Sequence, residues 1–304
     1  MKIVRVKVSN ILEVLGSQVI SIDGNAENVY IDNLADVANV SVTTLDWVNP
    51  SKTDKQMLAE NTKAKVVLVD DKVNYTESMK TNGKVLIHVR EPKIALCIIG
   101  NTLFVQKRRP GTHSSATVSP NAKIGKGVFI GPHCVIENCI IGKNCMIDSN
   151  VHIYDDVTIG DNCVIKSGAV IGSEGFGFER DENGNRFRFP QIGNVLIGNN
   201  VEIGANTCVD RGALSTTTIG DYTKINNLCH IAHNNVIGKN VVIAAEVNVA
   251  GGNVIEDNVW IAPSSSLRGY LTIGKEATVG MGAVVVKNIP AGEIWVGNPA
   301  KKLH

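Results

Sequence analysis

Residues 219–238 read IGDYTKINNLCHIAHNNVIG, and the stretch begins and ends with an Ile-Gly pair whose isoleucines are 18 positions apart. Two further steps of 18 extend the series of isoleucines to residue 273. Nearer the start of the chain, the isoleucines between residues 141 and 171 follow one another after 18 and then 12 positions. All these steps are multiples of six, so the segment is built on a six-residue repeat.

A six-residue repeat with one fixed aliphatic position predicts short strands that each end in a corner. The aliphatic side chain points inward, and small or polar residues form the bend. Three such faces close a triangular coil, so 18 residues return the chain to the same face one layer further on. This predicts a mainly β fold, a left-handed parallel β-helix of about nine stacked coils, which departs from the usual right-handed crossover.

Two intervals break the six-residue rule. Ile171 and Ile197 are 26 positions apart, which we interpret as one coil with eight additional residues. Ile203 and Ile219 are 16 apart, which corresponds to two faces with four additional residues. We therefore expect loops to leave the β-helix at GSEGFGFERDENGNRFRFPQIG (172–193) and VDRGALST (209–216) and to carry binding residues.

Residues 1–108 lack the repeat and are expected to form a small α/β domain that precedes a β-helix domain at 109–304. Residues 65–71 and 84–90 have the pattern of strands, and residues 51–64 and 91–105 that of amphipathic helices. The Pro- and Gly-containing segment 106–120 is expected to link the two domains.

The composition excludes several classes of function. The chain has 30 basic and 29 acidic residues, so no strong field indicates binding to nucleic acid or to a membrane surface. The first residues, MKIVRVKVSN, contain no apolar signal region, and no apolar run reaches transmembrane length. We expect a cytoplasmic protein. Seven cysteines without a CxxC pair favour small buried thiols over disulfides or a zinc site.

His233 is the candidate catalytic residue. It lies four residues before Ile237, in a corner, where an imidazole is expected to point outward. Most histidines in such places are ordinary surface residues, but Gly251 lies one coil later and would let a backbone N–H approach a ligand. Asparagines flank the histidine, and both expected loops precede this coil.

A histidine beside an available backbone N–H suits acyl transfer from a thioester to an amine. The imidazole removes the proton of the attacking amine, and the N–H stabilises the oxyanion. No GxSxG motif is present, which favours direct attack over an acyl-enzyme. His230 and His233 lack a third ligand at a suitable spacing, so we expect no metal.

The segments IGSEGFGF, FPQIGNVLIGNNVEIGANTCVDRGAL and IAHNNVIG closely resemble the UDP-3-O-acylglucosamine N-acyltransferase family of the lipid A pathway. The resemblance covers most of the chain and weakens in the first domain. It implies a homotrimeric left-handed β-helix with clefts between neighbouring subunits. It also implies that His233 is the general base, that the Gly251 amide contacts the oxyanion, and that the first domain binds the uracil of a nucleotide sugar.

Several positions depart from the family pattern. Tyr270 stands where the family usually has a second histidine, and His230 stands where it has Gln, whereas Asn227 is kept. Lys52 replaces the tyrosine that stacks on uracil, so Trp47 is the aromatic candidate for that contact. The sequence ends with VGNPAKKLH and does not show the helical extension with which the family docks acyl carrier protein. The VGNPAK segment instead resembles acetyl-CoA-dependent sugar acetyltransferases.

These observations define the expected site and three hypotheses for its function. The residues expected to bind substrate are Trp47, Asn49, Phe176, Phe178, Gln191, Asp210, Arg211, Asn227, His230 and Asn234, and those expected at the coenzyme are Tyr270, Lys287 and Lys301. The main hypothesis is transfer of an acyl group, in the simplest case acetyl, from acyl-CoA to the amino group of a nucleotide-linked amino sugar. The alternatives are a lipid A enzyme that uses acyl carrier protein and a non-catalytic β-helix scaffold.

Overall fold

The structure is a computed structural model that describes residues 5–106 and 108–303. The chain divides into two compact units, one formed by the residues up to 107 and one by the residues from 108 onward. Each unit has its own hydrophobic core.

The N-terminal unit contains a four-stranded mixed sheet whose strand order is Val19–Asp23, Val85–Val89, Val66–Val69 and Leu45–Trp47. The two central strands are buried along their whole length because helices cover both faces of the sheet. The two central strands confirm those predicted at residues 65–71 and 84–90. The remaining elements are the α-helices Val8–Leu15, Lys55–Asn61, Glu77–Thr81 and Pro92–Ile99, a π-helical turn Gly100–Phe104, 3-10 turns Gly16–Gln18 and Val37–Asn39, and an antiparallel ribbon of Val6–Lys7 with Tyr30–Ile31.

The second unit is the predicted left-handed β-helix, built from three parallel sheets that we call sheets I, II and III. Successive coils contribute one short strand to each sheet. Sheet I comprises Gly111–Thr112, Phe129–Ile130, Met146–Ile147, Val164–Ile165, Glu202–Ile203, Lys224–Ile225, Val242–Ile243, Trp260–Ile261, Thr278–Val279, Ile294–Val296 and the antiparallel Lys301–Lys302. Sheet II comprises Thr117–Val118, Val135–Ile136, His152–Ile153, Val170–Ser173, Cys208–Asp210, His230–Ile231, Asn248–Val249, Ser266–Leu267 and Val284–Val285. Sheet III comprises Lys123–Ile124, Ile140–Ile141, Val157–Ile159, Asn194–Ile197, Thr216–Ile219, Val236–Ile237, Val254–Ile255 and Thr272–Ile273.

The interior of the β-helix is a stack of aliphatic side chains. In sheet III, the isoleucines from residue 141 to residue 273 lie directly above one another and are at most 2% exposed. Five of the seven cysteines are also buried, as predicted, whereas Cys97 is exposed and Cys208 is half-buried. Burial raises the pKa of the Cys139 thiol to about 12, so this thiol stays protonated and packs as a small apolar group.

The corners are formed by residues in the left-handed region of backbone space, which recur every six positions. From Tyr222 to Glu276 each such position has a φ near +60°. Asn and Gly adopt this conformation at little cost, whereas other residues are strained by roughly 1–2 kcal/mol. Asn or Gly holds four of the ten corners in this range, and Leu228, with a φ of 59°, is among the six that carry another residue.

The first loop is longer than the sequence analysis inferred. Ile171 pairs with Val209 in sheet II, and Ile197 pairs with Ile159 in sheet III, so the two isoleucines of the interval lie on consecutive sheets. Of the 26 positions between them, six belong to the coil and 20 leave it, so the inference of eight additional residues was wrong. The loop forms an antiparallel hairpin of Phe178–Arg180 with Arg186–Arg188.

The segment 106–120 is not simply a linker. Gly111–Thr112 and Thr117–Val118 already pair with the strands of the following coil, so the β-helix begins within it. The pattern was missed because this first coil carries Thr112 and Val118 where the following coil carries Ile130 and Ile136.

We predict that Leu228→Asn stabilises the protein. Leu228 is 56% exposed and holds a left-handed corner, so the variant relieves backbone strain and loses little buried area. The free energy of unfolding in urea should rise by about 0.5–1 kcal/mol. The reverse change, Asn240→Leu at a left-handed corner between sheets III and I, should lower it by a similar amount; unchanged stability in both variants would contradict this prediction.

Candidate active site

The corner between sheets II and III, which we call edge II/III, carries the candidate catalytic histidine. His233 follows the strand His230–Ile231 and is half-buried. Its Nδ1 lies 2.8 Å from Oδ1 of Asn234. The same Oδ1 accepts the N–H of Ala213 at 3.0 Å, and the Asn234 amide group donates to the hydroxyl of Ser215.

These contacts define the tautomer of His233. The N–H of Ala213 can only donate, so the atom of Asn234 that faces it is the carbonyl oxygen. That oxygen can only accept from the imidazole, so Nδ1 of His233 carries the proton. In the neutral ring, Nε2 then has the lone pair that a general base requires.

Gly251 lies against the face of this imidazole. A Cβ atom built on Gly251 would lie 2.7 Å from Cε1 of His233 and 3.0 Å from Nε2. Any side chain at residue 251 would therefore displace the ring. The N–H of Gly251 donates to no acceptor among the hydrogen bonds of the described residues, so it is available to a ligand beside Nε2.

A cavity of about 260 Å³ opens beside these two residues. Its lining includes Asp210, His230 and Asn248 of sheet II, and Phe176 of the hairpin loop. The lining therefore brings together His233, Gly251, His230, Asp210 and Phe176, all named from sequence. The remaining surface is formed by small or apolar residues, which suit the body of a ligand while the polar groups orient it.

The hairpin loop packs on His233. A Cβ atom at Gly175 would lie 2.9 Å from Cδ2 of His233 and 2.8 Å from Oε1 of Gln191. Gln191 is buried, and its Oε1 has no hydrogen-bond partner among the described residues. Phe176 is 84% exposed and contacts Phe178 edge-to-face at 4.9 Å between ring centroids.

His230 forms a hydrogen bond with a buried carboxylate. Its Nε2 lies 3.0 Å from Oδ2 of Asp210, and Oδ1 of Asp210 accepts the hydroxyl of Ser173 at 3.1 Å. The hydrogen bond to Asp210 raises the pKa of His230 above its ordinary value of 6.5. The carboxylate of Asp210 thus favours the protonated form of the His230 ring, which lines the same cavity as His233.

Five residues of the β-helix unit that were expected to bind substrate do not line this cavity, namely Phe178, Gln191, Arg211, Asn227 and Asn234. The Arg211 guanidinium donates to the carbonyl oxygens of Gly172 and Asp155 at 2.8 and 2.7 Å, so it anchors the start of the hairpin loop. Asn227 lies on the corner between sheets I and II, where its Oδ1 accepts the N–H of Ala205 at 2.7 Å. Neither residue lines the cavity.

The residues expected at the coenzyme are dispersed. Tyr270 lies on edge II/III one coil beyond Gly252; it is 82% exposed, and its ring covers Gly252. Lys287 is exposed after the last strand of sheet II, and Lys301 lies on the terminal antiparallel strand of sheet I. The three side chains do not line one cavity.

Trp47 and Asn49 line a cavity of about 720 Å³ within the N-terminal unit, together with Lys52. Trp47 is half-buried, and Asn49 and Lys52 are exposed. Val37, which is 93% exposed, adds apolar surface to the same cavity.

The residues that support the catalytic corner were not predicted from sequence. Thr217 accepts the N–H of Asn234 at 2.9 Å, and Ser215 and Ala213 hold the Asn234 side chain. The 18-residue step from residue 217 to residue 235 is a signal that could have indicated the contact. In the described residues there is no group of three or more His, Cys, Asp or Glu side chains that could hold a metal ion. Residues 5–106 and 108–303 include no helix that is long and apolar enough to cross a membrane.

Comparison with known proteins identifies the family. The model of the bacterial transferase hexapeptide (six repeats) matches residues 138–173. The UDP-3-O-acylglucosamine N-acyltransferase of Caulobacter sp. (strain K31) is 46% identical over 137 residues, which are 45% of this chain and 40% of that protein. The chain thus aligns with about 40% of the length of this relative. The protein of the same name from Bordetella parapertussis is 36% identical over 293 residues, which cover 88% of this chain and 79% of the relative.

Solved structures agree with this assignment. The UDP-N-acetylglucosamine O-acyltransferase of Moraxella catarrhalis is 28% identical, with a TM-score of 0.58 over 63% of this chain and 73% of that chain. The acyltransferase of Francisella novicida gives 27% identity and a TM-score of 0.57, over 63% of this chain and 68% of the other. The resemblance inferred from the motifs is confirmed, and the chain belongs to the UDP-3-O-acylglucosamine N-acyltransferase family.

Proposed function

We propose that the protein transfers an acyl group from a thioester to the amino group of a UDP-linked glucosamine that already carries a 3-O-acyl chain. The observation that carries the proposal is that Nε2 of His233 and the available N–H of Gly251 lie side by side. Family membership supports the choice of substrates, because the relatives' shared name specifies this acceptor.

The reaction then follows from the two groups. The sugar amine attacks the thioester carbonyl, and His233 Nε2 takes the proton that the nitrogen loses as the C–N bond forms. The carbonyl oxygen becomes negative, and the Gly251 N–H donates to it. When the C–S bond breaks, the imidazolium returns the proton to the departing sulfur, so the products are an amide and a thiol.

We propose acyl carrier protein as the donor. The main expectation from sequence, acyl-CoA and in particular acetyl-CoA, is not supported by the relatives, whose names specify an O-acylated glucosamine and not an acetyl transfer. The expected coenzyme residues also fail to line one cavity. The family resemblance implies a long 3-hydroxyacyl chain bound to carrier protein.

A donor panel tests the function. Purified protein is incubated with UDP-3-O-acylglucosamine and with either 3-hydroxyacyl carrier protein, the matched 3-hydroxyacyl-CoA or acetyl-CoA, and the products are identified by mass spectrometry. We expect amide formation with carrier protein at a kcat/KM at least tenfold above that with CoA esters. A preference for acetyl-CoA would restore the original hypothesis, and no product with any donor would leave the scaffold hypothesis.

We further propose that the protein assembles as a homotrimer, as the family resemblance implies. The outward column of sheet III supports self-association, because Ile140, Leu196, Val236 and Val254 are each at least 40% exposed. Sedimentation equilibrium should give three times the chain mass of 32.5 kDa; an active monomer would contradict this proposal.

The N-terminal cavity is the proposed binding site for the uracil of the nucleotide. Trp47 offers a large aromatic surface, and Asn49 offers amide hydrogen bonds at the same opening. We predict that Trp47→Ala raises the KM for the sugar nucleotide about tenfold while kcat changes little. Ile94→Ala, on an exposed helical face away from this cavity, is the matched control. An unchanged KM in Trp47→Ala would assign the cavity another role.

We predict that His233→Ala lowers kcat by about 10²–10⁴-fold, with KM nearly unchanged. The loss should fall on the chemical step because the side chain removes a proton during attack. An outward, half-buried ring contributes little to the core, so circular dichroism and the unfolding transition should remain close to those of wild type. Near-normal kcat in His233→Ala, with loss of activity in His230→Ala, would identify the other histidine as the base.

His230→Gln should be much milder for kcat, because we propose that His230 only holds substrate. Its effect on stability should depend on pH. Asp210 raises the pKa of His230 in the folded protein above the pKa of about 6.5 that the residue has in the unfolded chain. The contact between the two side chains therefore stabilises the fold fully at pH values below the unfolded-state pKa, and this stabilisation is lost as the pH rises through the folded-state pKa. The difference in unfolding free energy between wild type and His230→Gln should therefore be larger at pH 6 than at pH 9. An equal difference at both pH values would exclude the charged pair.

A further inference from the structure

We propose that Asn253 is a positioning residue for acyl transfer, because its side chain holds the Ala250–Gly251 peptide so that the N–H of Gly251 points into the cavity. The inference rests on the proposed function, in which this N–H stabilises the oxyanion.

Asn253 lies inside the β-helix and is 0% exposed. Its amide group donates to the carbonyl oxygen of Ala250 at 2.5 Å. Its Oδ1 accepts the N–H of Leu271 at 2.8 Å, and its own N–H donates to Oδ1 of Asn235 at 2.9 Å. Because Oδ1 faces a backbone N–H, which can only donate, the orientation of the Asn253 amide is defined.

The geometry of the peptide bond links this contact to the site. The carbonyl of Ala250 and the N–H of Gly251 belong to one planar trans peptide, in which the two groups point in opposite directions. A carbonyl held towards the interior therefore directs the N–H outward, into the cavity that Ala250 and Gly251 line with His233. The hydrogen bond accepted by this carbonyl also polarises the peptide and strengthens its N–H as a donor.

The interior column that contains Asn253 is polar in three consecutive coils, the last two of which carry His233 and Gly251. Its members from residue 157 to residue 271 are Val157, Val195, Thr217, Asn235, Asn253 and Leu271. Aliphatic residues thus fill the column in the other coils. Burying the amide of Asn253 costs free energy, and only the hydrogen bonds of that amide offset the cost. Asn235 makes the same bond to the carbonyl oxygen of Ala232, immediately before His233, at 2.6 Å.

The chain itself supplies the variants for a test. Leu271 and Val195 show that this column accepts aliphatic side chains, so Asn253→Leu and Asn253→Val remove the bond within a compatible shape. The Ser265 hydroxyl lies 2.8 Å from the carbonyl oxygen of Ala262, three residues earlier, and 2.9 Å from that of Gly280, so Asn253→Ser retains a donor within reach of the equivalent carbonyl. Ser265→Ala is the matched control, since it removes this bond on a corner between sheets I and II, away from the cavity.

The experiment compares kcat, both KM values and the unfolding midpoint of these variants with those of wild type, using the preferred donor. Loss of a whole oxyanion donor lowers kcat about 10²–10³-fold, so loss of its orientation should lower kcat about 10-fold or more in Asn253→Leu. Both KM values should stay within about twofold of wild type. Asn253→Ser should recover kcat to within about threefold, and Ser265→Ala should keep normal kcat although its unfolding midpoint falls.

If Asn253→Leu folds and has wild-type kcat, the inference is overturned while the proposed function stands. If the leucine variant does not fold, wild-type kcat in Asn253→Val has the same consequence. Equal losses of kcat in Asn253→Leu and Asn253→Ser, or a loss in Ser265→Ala, would also overturn the inference, because each outcome would indicate a general effect on the fold. Wild-type protein without transferase activity on any donor would instead overturn the proposed function, and the inference with it.

Discussion

The stacking of one coil on the next, in strict register, is the constraint on which the rest of the structure depends. The N–H of His230 bonds to the carbonyl of Val247, and that of Ala232 to the carbonyl of Val249, at 3.0 Å each. This ladder places residue 233 against residue 251 and residue 235 against residue 253. A slip of one residue would turn the interior isoleucines outward, so the core and the site share one alignment.

This alignment explains which parts could be predicted from sequence. The repeat of 18 identified the fold and the neighbour of His233, because both follow from periodicity alone. The repeat could not identify the sheet on which a strand lies after an interruption. An interval of 26 residues fits either a full coil with eight extra residues or a single face with 20 extra residues. The length of the hairpin loop was therefore misjudged.

Side-chain partners were harder to predict, because they depend on loops that periodicity does not describe. Arg211 had the chemistry of a substrate-binding residue, but backbone carbonyls occupy its guanidinium. The role of Asn234 depends on Ala213 and Ser215, which the second loop brings to the corner. The expected coenzyme depended on a short terminal segment, whereas the family assignment draws on 88% of the chain.

Both loops leave the β-helix at edge II/III, between Val170–Ser173 and Asn194–Ile197 and again between Cys208–Asp210 and Thr216–Ile219. The other two edges keep six-residue spacing through these coils, and their backbone bonds are undisturbed. Length changes in the chain are thus confined to the side where substrate would bind. Such a molecule can acquire a new acceptor preference by exchanging one loop while its folding core stays the same, which separates the evolution of selectivity from the evolution of stability.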